Sequence, residues 1–329
     1  MPVEGDGPVT AGPARGLVGD IGGTNARFAV LDGAGRISGE ATLLCADHPD
    51  IEAAIRRYLD GAGVDRLPAS AALAVAGPVD ADGTTLTNHP WTVSADRLRE
   101  AFGFSEIRVI NDFMAIALAV PRLDEKDRRQ VGDGTAASGA PIAVLGPGTG
   151  LGVSAMIPGP GGPSPLATEG GHVTLAGFNS EEDAVIQALR KRFGHASAER
   201  ALSGQGLLNI HAALAERQGQ PAETLTSPEM TERAIAGDDP LCAATLAMFF
   251  SFLGTVAANL TLSIGARGGV YIAGGIVPPL FDALERSGFR DRFESKGRFS
   301  EYLKAVPSYV ITHPQPAFLG LARLIADSD

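Results

Sequence analysis

Apolar residues in this chain come in short runs that stop at glycine or at a polar residue. Gly16–Leu31 reads as strand, turn, strand: LVGDIGG breaks at two glycines and TNARFAVLD resumes the run. Ile51–Gly61 repeats apolar positions at helical spacing and predicts an amphipathic helix. Ala71–Ala76 (AALAVA) predicts a buried strand ending at Gly77-Pro78-Val79. Ile107–Ile110 is a shorter strand ending in Asn111-Asp112, and Phe113–Ala119 continues as a helix that Pro121 stops. A Gly/Ala/Ser-rich stretch, 132–141, precedes a strand at Ile142–Leu145, followed by Gly146-Pro147-Gly148-Thr149-Gly150-Leu151-Gly152. Val270–Ala273 is a further strand, closed by Gly274-Gly275, and Ala317–Ala326 predicts a terminal amphipathic helix. Strands alternating with helices mean an α/β protein. Each half opens with a strand and a glycine turn, as a duplicated domain would.

One segment tests the membrane question. Pro240–Ala266 carries no charged residue, and Leu246–Ile264 is long enough to span a bilayer. Thr245, Ser251, Thr255, Asn259, Thr261 and Ser263 dilute it, and a helix buried on all sides reads the same way. The expectation is a core helix and no membrane. The 329 residues suit about two domains. Met1–Gly16, rich in Gly, Pro and Ala, has no apolar core of a secretory signal and reads as a disordered leader. With 27 Lys+Arg against 38 Asp+Glu the net charge is −11, which argues against nucleic acid as a partner. Cys45 and Cys242 make neither a disulfide framework nor a zinc cluster, and they fit a reducing cytoplasm.

The surplus of glycine, 42 residues, is the chemical clue. No G-x-x-x-x-G-K-[ST] is present, and neither glycine turn reads G-x-G-x-x-G, so P-loop and dinucleotide readings lose support. What remains is Asp20-Ile21-Gly22-Gly23-Thr24-Asn25 and Gly148-Thr149-Gly150, each directly after an apolar run. Glycines there let backbone N–H groups approach an anion, and Thr24, Asn25 and Thr149 add donors. A single Gly-Gly-Thr is equally a plain hairpin turn. Asp20 at a strand end is a candidate for Mg²⁺, held through water. Asp112, after a strand and before a helix, is either a helix N-cap, for which Asn111 serves as well, or a carboxylate general base. Glu169-Gly170-Gly171-His172 is an E-x-x-H whose two glycines disfavour the helix that a di-iron site would need; otherwise His172 is a loop histidine. Trp91, in Thr87-Asn88-His89-Pro90-Trp91, is either a sugar-stacking ring or simple packing.

DIGGTNARFAVLD, VINDF, LGPGTGLG, TEGGHV, SAERALSGQGL and VYIAGGI occur in that order, and together they resemble the bacterial ATP-dependent glucokinases of the sugar kinase/heat-shock-70/actin superfamily. The likeness runs from about Gly16 to the C-terminus. It implies two ribonuclease-H-like (actin-like ATPase) α/β domains with an interdomain cleft: 17–121 plus 312–329 as the small domain and 122–311 as the large one. It implies ATP and Mg²⁺ as cofactors, phosphorylation of glucose at the 6-hydroxyl, and a homodimer. By resemblance Gly22, Gly23, Thr24, Asn25, Gly148, Thr149 and Gly150 would meet phosphate, and Gly274-Gly275 the adenosine. Asp112 would be the base, with Asn111, Asp112, Glu169, His172 and Glu199 as sugar ligands. Glu199 would otherwise read as a surface helix residue. The related repressor/kinase family has a clustered-cysteine zinc motif after its E-G-G-H, which this chain lacks. The rivals are a kinase of the same fold for another hexose, such as fructose, mannose or an N-acetylated sugar, and a non-catalytic sugar or nucleotide sensor.

Overall fold

The computed structural model describes residues 14–64, 67–80, 83–86 and 89–326. The chain divides into two compact units, Met1–Leu123 with Pro314–Asp329, and Asp124–His313. The first unit opens with β1 (Ala14–Ile21), β2 (Asn25–Asp32) and β3 (Ile37–Leu44), consecutive antiparallel neighbours. β1 begins at Ala14, paired with Asp32, so the last three residues assigned to the leader are in the strand. The rest of that leader lies outside the described residues. Helix α1 (Ile51–Gly61) starts where the Asp50 side chain accepts the Ala53 N–H, and it buries Ile51, Ala54, Ile55, Tyr58 and Leu59 at the predicted spacing. After β4 (Ser70–Val75) come the two-residue strands β5 (Thr84–Thr85) and β6 (Thr92–Val93), then α2 (Ala95–Phe102) and β7 (Glu106–Asn111). α3 (Asp112–Ala119) follows without a loop.

The five-stranded sheet has the order β3-β2-β1-β4-β7, with β1, β4 and β7 parallel. Side-chain size along AALAVA decides what packs on each face. Leu73 and Val75 point with Leu17, Ile21 and Phe28 into the core that holds α1 and α2 residues. Ala72 and Ala74 point with Val18 to the opposite face. There the small residues leave room for α3.

The second unit begins with β8 (Arg128–Val131), β9 (Ile142–Pro147), β10 (Leu151–Ile157) and β11 (Ser164–Leu166). Its helices are α4 (Ser180–Phe193), α5 (Gly204–Arg217), α6 (Ser227–Ala236) and α7 (Pro240–Ile264), followed by β12 (Val270–Ile272). Short helices α8 (Phe281–Glu285), α9 (Phe289–Glu294) and α10 (Ser300–Lys304) lead to β13 (Ser308–Ile311). The sheet order is β11-β10-β9-β12-β13-β8, with β9, β12 and β13 parallel and β10 antiparallel to both its neighbours. Its first five strands, taken in chain order from β9, repeat the order and directions of the first sheet. That is the duplication the two glycine turns suggested. β8 is an added antiparallel edge on β13.

α7, the one described helix long and apolar enough to cross a membrane, is a core helix. Its Phe249, Phe250, Phe252 and Leu253 are buried among α5, α6 and α9 residues of the same core. Asp239 caps its start and Gly265, at φ +66°, ends it. Glu182 on α4 pairs with Arg292 on α9 at 2.6 Å and also accepts the Phe178 N–H, so this buried carboxylate has partners on both oxygens. The Gly/Pro-rich stretch 159–165 forms most of the turn after β10, with Gly162 at φ +98°, and its last two residues begin β11.

The chain closes on the first unit with α11 (Pro316–Ala326). Ala317, Phe318 and Leu321 cover the alanine face of the first sheet, and Gly320 lies directly on the Ala115 carbonyl of α3. A methyl at Gly320 would collide with that backbone. We expect Gly320→Ala to destabilise the protein by about 1–3 kcal/mol, the usual cost of overpacking, as measured by urea unfolding. An unchanged midpoint would contradict the close crossing of α3 and α11.

Candidate functional site

Because β1, β4 and β7 are parallel, their carboxyl ends share one edge of the first sheet, where open α/β sheets present ligand-binding groups. Asp20, Gly22, Gly23, Thr24 and Asn25 follow along β1 and its turn, and Asn111-Asp112 stand at the end of β7. The register Ile21↔Val75↔Asn111 sets them level. The turn is closed by Gly22 N–H donating to the Asn25 carbonyl at 2.9 Å, and Cys45 backs it, its N–H donating to the Thr24 carbonyl.

Asn111, not Asp112, caps α3. Its Oδ1 accepts the Phe113 and Met114 N–H groups, and its amide nitrogen donates to the Gly77 carbonyl at 3.1 Å. The cap thereby also fixes the turn after β4. Asp112 becomes the first helical residue, half-buried, with Oδ1 accepting the Phe113 N–H at 2.9 Å. The helix N-terminus favours a negative charge there.

Asp20 faces Arg27 across the β1–β2 ladder, guanidinium to carboxylate at 3.5 Å. Burial pushes the Asp20 carboxyl above its ordinary value, and Arg27 pulls it partly back. Arg27 was not singled out by sequence reasoning, although its place in DIGGTNAR, seven residues on across a tight hairpin, marks it as the partner of Asp20.

In the second unit β9 and β12 end side by side, and so do their glycine turns. Gly274, at φ +84°, packs on the Pro147 carbonyl where no side chain fits, and Gly146 packs on Ala273. The Ile276 N–H donates to the Pro147 carbonyl at 3.4 Å. Gly148, Thr149 and Gly150 are thus in one place with Gly274 and Gly275. Gly148 N–H donates to the Gly150 carbonyl at 2.8 Å, closing the turn.

Glu169 precedes a single 3₁₀ turn, Gly170–His172, so the E-x-x-H is not on an α-helix. Glu169 and His172 are exposed. Glu199 lies in a second 3₁₀ turn, Ala198–Arg200, half-buried rather than on a surface helix. A short ladder joins the two segments: Ala198 N–H to the Val173 carbonyl and Leu175 N–H to the Ala196 carbonyl, both 2.9 Å. Gly171 lets the first turn lie flat against the Leu151 carbonyl of β10. Glu199 Oε2 accepts the Leu151 N–H at 2.9 Å. The structure therefore gathers the three expected sugar ligands of this unit around the strand that leaves the Gly148–Gly150 turn.

Trp91 is core: it is 2 % exposed and its indole N–H donates to the His48 carbonyl. Thr87 and Asn88 of the same loop lie outside the described residues. Cys45 and Cys242 are both free and buried. No group of three or more His, Cys, Asp or Glu that could hold a metal occurs among the described residues.

The family model described as Glucokinase matches residues 17–328. The chain is 48% identical over 312 residues to the glucokinase of Paramagnetospirillum magneticum, covering 94% of this chain and 97% of that one. It superposes on the crystal structure of a glucokinase from an Antarctic psychrotroph with a TM-score of 0.85 and 37% identity, over 95% and 98% of the two chains. A ROK family glucokinase from Streptomyces griseus, solved in complex with glucose and AMPPNP, shares the fold at a TM-score of 0.60 and 18% identity, over 94% and 99% of the chains.

Asn111→Ala removes the cap and the link to Gly77 together. We expect a loss of stability of about 1 kcal/mol, within the range for N-cap removal, read from chemical unfolding. A variant as stable as the parent would contradict the capping assignment.

Proposed function

The chain belongs to the glucokinase family, and from that membership we propose that it transfers the γ-phosphoryl group of ATP to the 6-hydroxyl of D-glucose, giving glucose 6-phosphate and ADP. The observation that carries the residue assignment is the end of β7. Asn111 takes the cap, so Asp112 is not committed to that role and stands at the carboxyl edge where a substrate would lie. Asp112 accepts the proton of the 6-hydroxyl as its oxygen attacks the γ-phosphorus in line and the bond to the β-phosphate oxygen breaks. Asn111 keeps an amide N–H to offer the sugar beyond the one given to Gly77. Glu169, His172 and Glu199 hold further hydroxyls, since a carboxylate oxygen accepts from neighbouring hydroxyls at once.

The Gly22–Asn25 and Gly148–Gly150 turns, which the Gly22 and Gly148 N–H groups close, offer the triphosphate their other backbone N–H groups together with the Thr24, Asn25 and Thr149 side chains. Gly274 and Gly275, held against Pro147 and Gly148, suit the adenosine end, since no side chain blocks approach to that backbone. The AMPPNP held by the Streptomyces griseus relative supports ATP as donor. Asp20, one carboxylate with no metal-ligating cluster around it among the described residues, fits Mg²⁺ that arrives with the nucleotide and keeps water in its shell. When bound, that ion neutralises charge on the transferring group.

The same reading places the protein in the cytoplasm as a homodimer acting on small molecules, without nucleic acid or membrane. Two buried free thiols, a net charge of −11 and the burial of α7 support the compartment and the partner classes; the dimer rests on the family resemblance.

Asp112→Asn keeps the shape and removes the base. Turnover in a coupled ADP-release assay is expected to fall about 10²–10⁴-fold, the usual share of general-base catalysis, while glucose binding by calorimetry changes little. Wild-type turnover in this variant would exclude Asp112 as the base.

A further inference from the structure

Glu199 stands where the sugar set and the phosphate turn of the second unit meet. Its Oε2 accepts the Leu151 N–H at 2.9 Å and lies against Gly150, where a methyl would collide with the carboxylate. The next carbonyl along, that of Leu151, is the surface on which Gly171 of the Glu169–His172 turn rests. The segment carrying Glu199 also grips the other end of the phosphate turn. Ser203 Oγ donates to the Glu199 carbonyl at 2.9 Å and accepts the Gly206 N–H, and Gly204 N–H donates to the Gly148 carbonyl at 2.9 Å. Gly148 and Leu151, the two ends of the turn, are therefore both bonded to residues 199–204.

We propose that Glu199 is a positioning residue for the Gly148–Gly150 turn as well as a sugar ligand, so that one carboxylate links sugar binding to nucleotide binding. The proposal rests on the functional reading above for the identity of the two ligands. Oε2 is spent on the turn, which leaves Oε1 for a sugar hydroxyl. A hydroxyl bound at Oε1 fixes the carboxylate's rotamer and with it the Leu151 N–H, so the turn is already ordered when the triphosphate arrives. Linkage requires the converse too: a bound triphosphate raises affinity for the sugar. Gly150 is glycine for the same reason, because any side chain there would expel the carboxylate.

The test measures affinity for the non-hydrolysable analogue AMPPNP, with and without glucose, together with hydrogen exchange at the Leu151 amide. Three variants are compared: Glu199→Ala, Glu199→Gln and Gly150→Ala. In Glu199→Gln the amide oxygen still accepts the Leu151 N–H. Its AMPPNP affinity without sugar should stay within about threefold of the parent, while glucose affinity falls, since a charge-assisted bond is worth more than a neutral one. Glu199→Ala and Gly150→Ala lose the bond to the turn. Each should weaken sugar-free AMPPNP binding on the order of tenfold and speed Leu151 exchange, consistent with loss of one hydrogen bond to a charged group. Glucose should slow Leu151 exchange in the parent and leave it unchanged in these two. Parent-like AMPPNP binding and exchange in Glu199→Ala or Gly150→Ala would overturn the proposal, as would an equal loss in Glu199→Gln and Glu199→Ala. Failure of the functional reading looks different: the parent would release no ADP in response to glucose, whatever the variants did to AMPPNP binding.

Discussion

Under the proposed function, a chain with 38 acidic against 27 basic residues meets the charge of a triphosphate at short range, through backbone N–H groups rather than through its net charge. On that reading the glycines stand where those N–H groups are needed. Parallel strands end together at one sheet edge, and the turns leaving them can present N–H groups only if no side chains intervene. Gly146 and Gly274 let β9 and β12 end in backbone contact, and Gly150 makes room for Glu199. The candidate sugar residues stand on the same kind of element within each unit: Asn111 at the end of β7 and Asp112 at the start of α3 in the first, Glu199 bonded to the backbone that leaves the Gly148–Gly150 turn in the second.

The same strand order recurs in the two units. In each unit a central parallel strand pair carries the glycine turn, and an antiparallel hairpin extends the sheet on one side. Residue size tunes what covers it. In the first unit, alanines at 72 and 74 make room for α3 and α11, which cross so closely that Gly320 meets the Ala115 carbonyl of α3. In the second, the phenylalanines of α7 fill a larger interior. A run of about 20 apolar, uncharged residues can cross a membrane or form a core helix. Here burial on most faces decides for the core.

Much of this was legible in the sequence because it depends on local pattern. The strands ending at Gly22, Asn111, Gly148 and Gly274, and the helix over Ile51–Gly61, follow from apolar period and glycine punctuation. What was not legible depends on side chains meeting at a distance. Asn111 and Asp112 are equally good caps on paper, and the bond to Gly77 favours the first. Glu199 reaches Leu151 across 48 residues, and nothing local announces it. Trp91 joins the core through a bond to His48, 43 residues away. Leader residues 14–16 looked like the rest of a Gly/Pro/Ala-rich stretch, but Ala14 has a strand partner in Asp32. Arg27 was readable in principle, since hairpin register puts it opposite Asp20.

The most direct measurement of the central claim is ADP release by the purified protein with ATP and Mg²⁺ across a panel of glucose, fructose, mannose and N-acetylglucosamine. ADP release should depend on sugar, with the highest kcat/KM for glucose. ADP release that ignores the sugar, or that prefers one of the other hexoses, would contradict it.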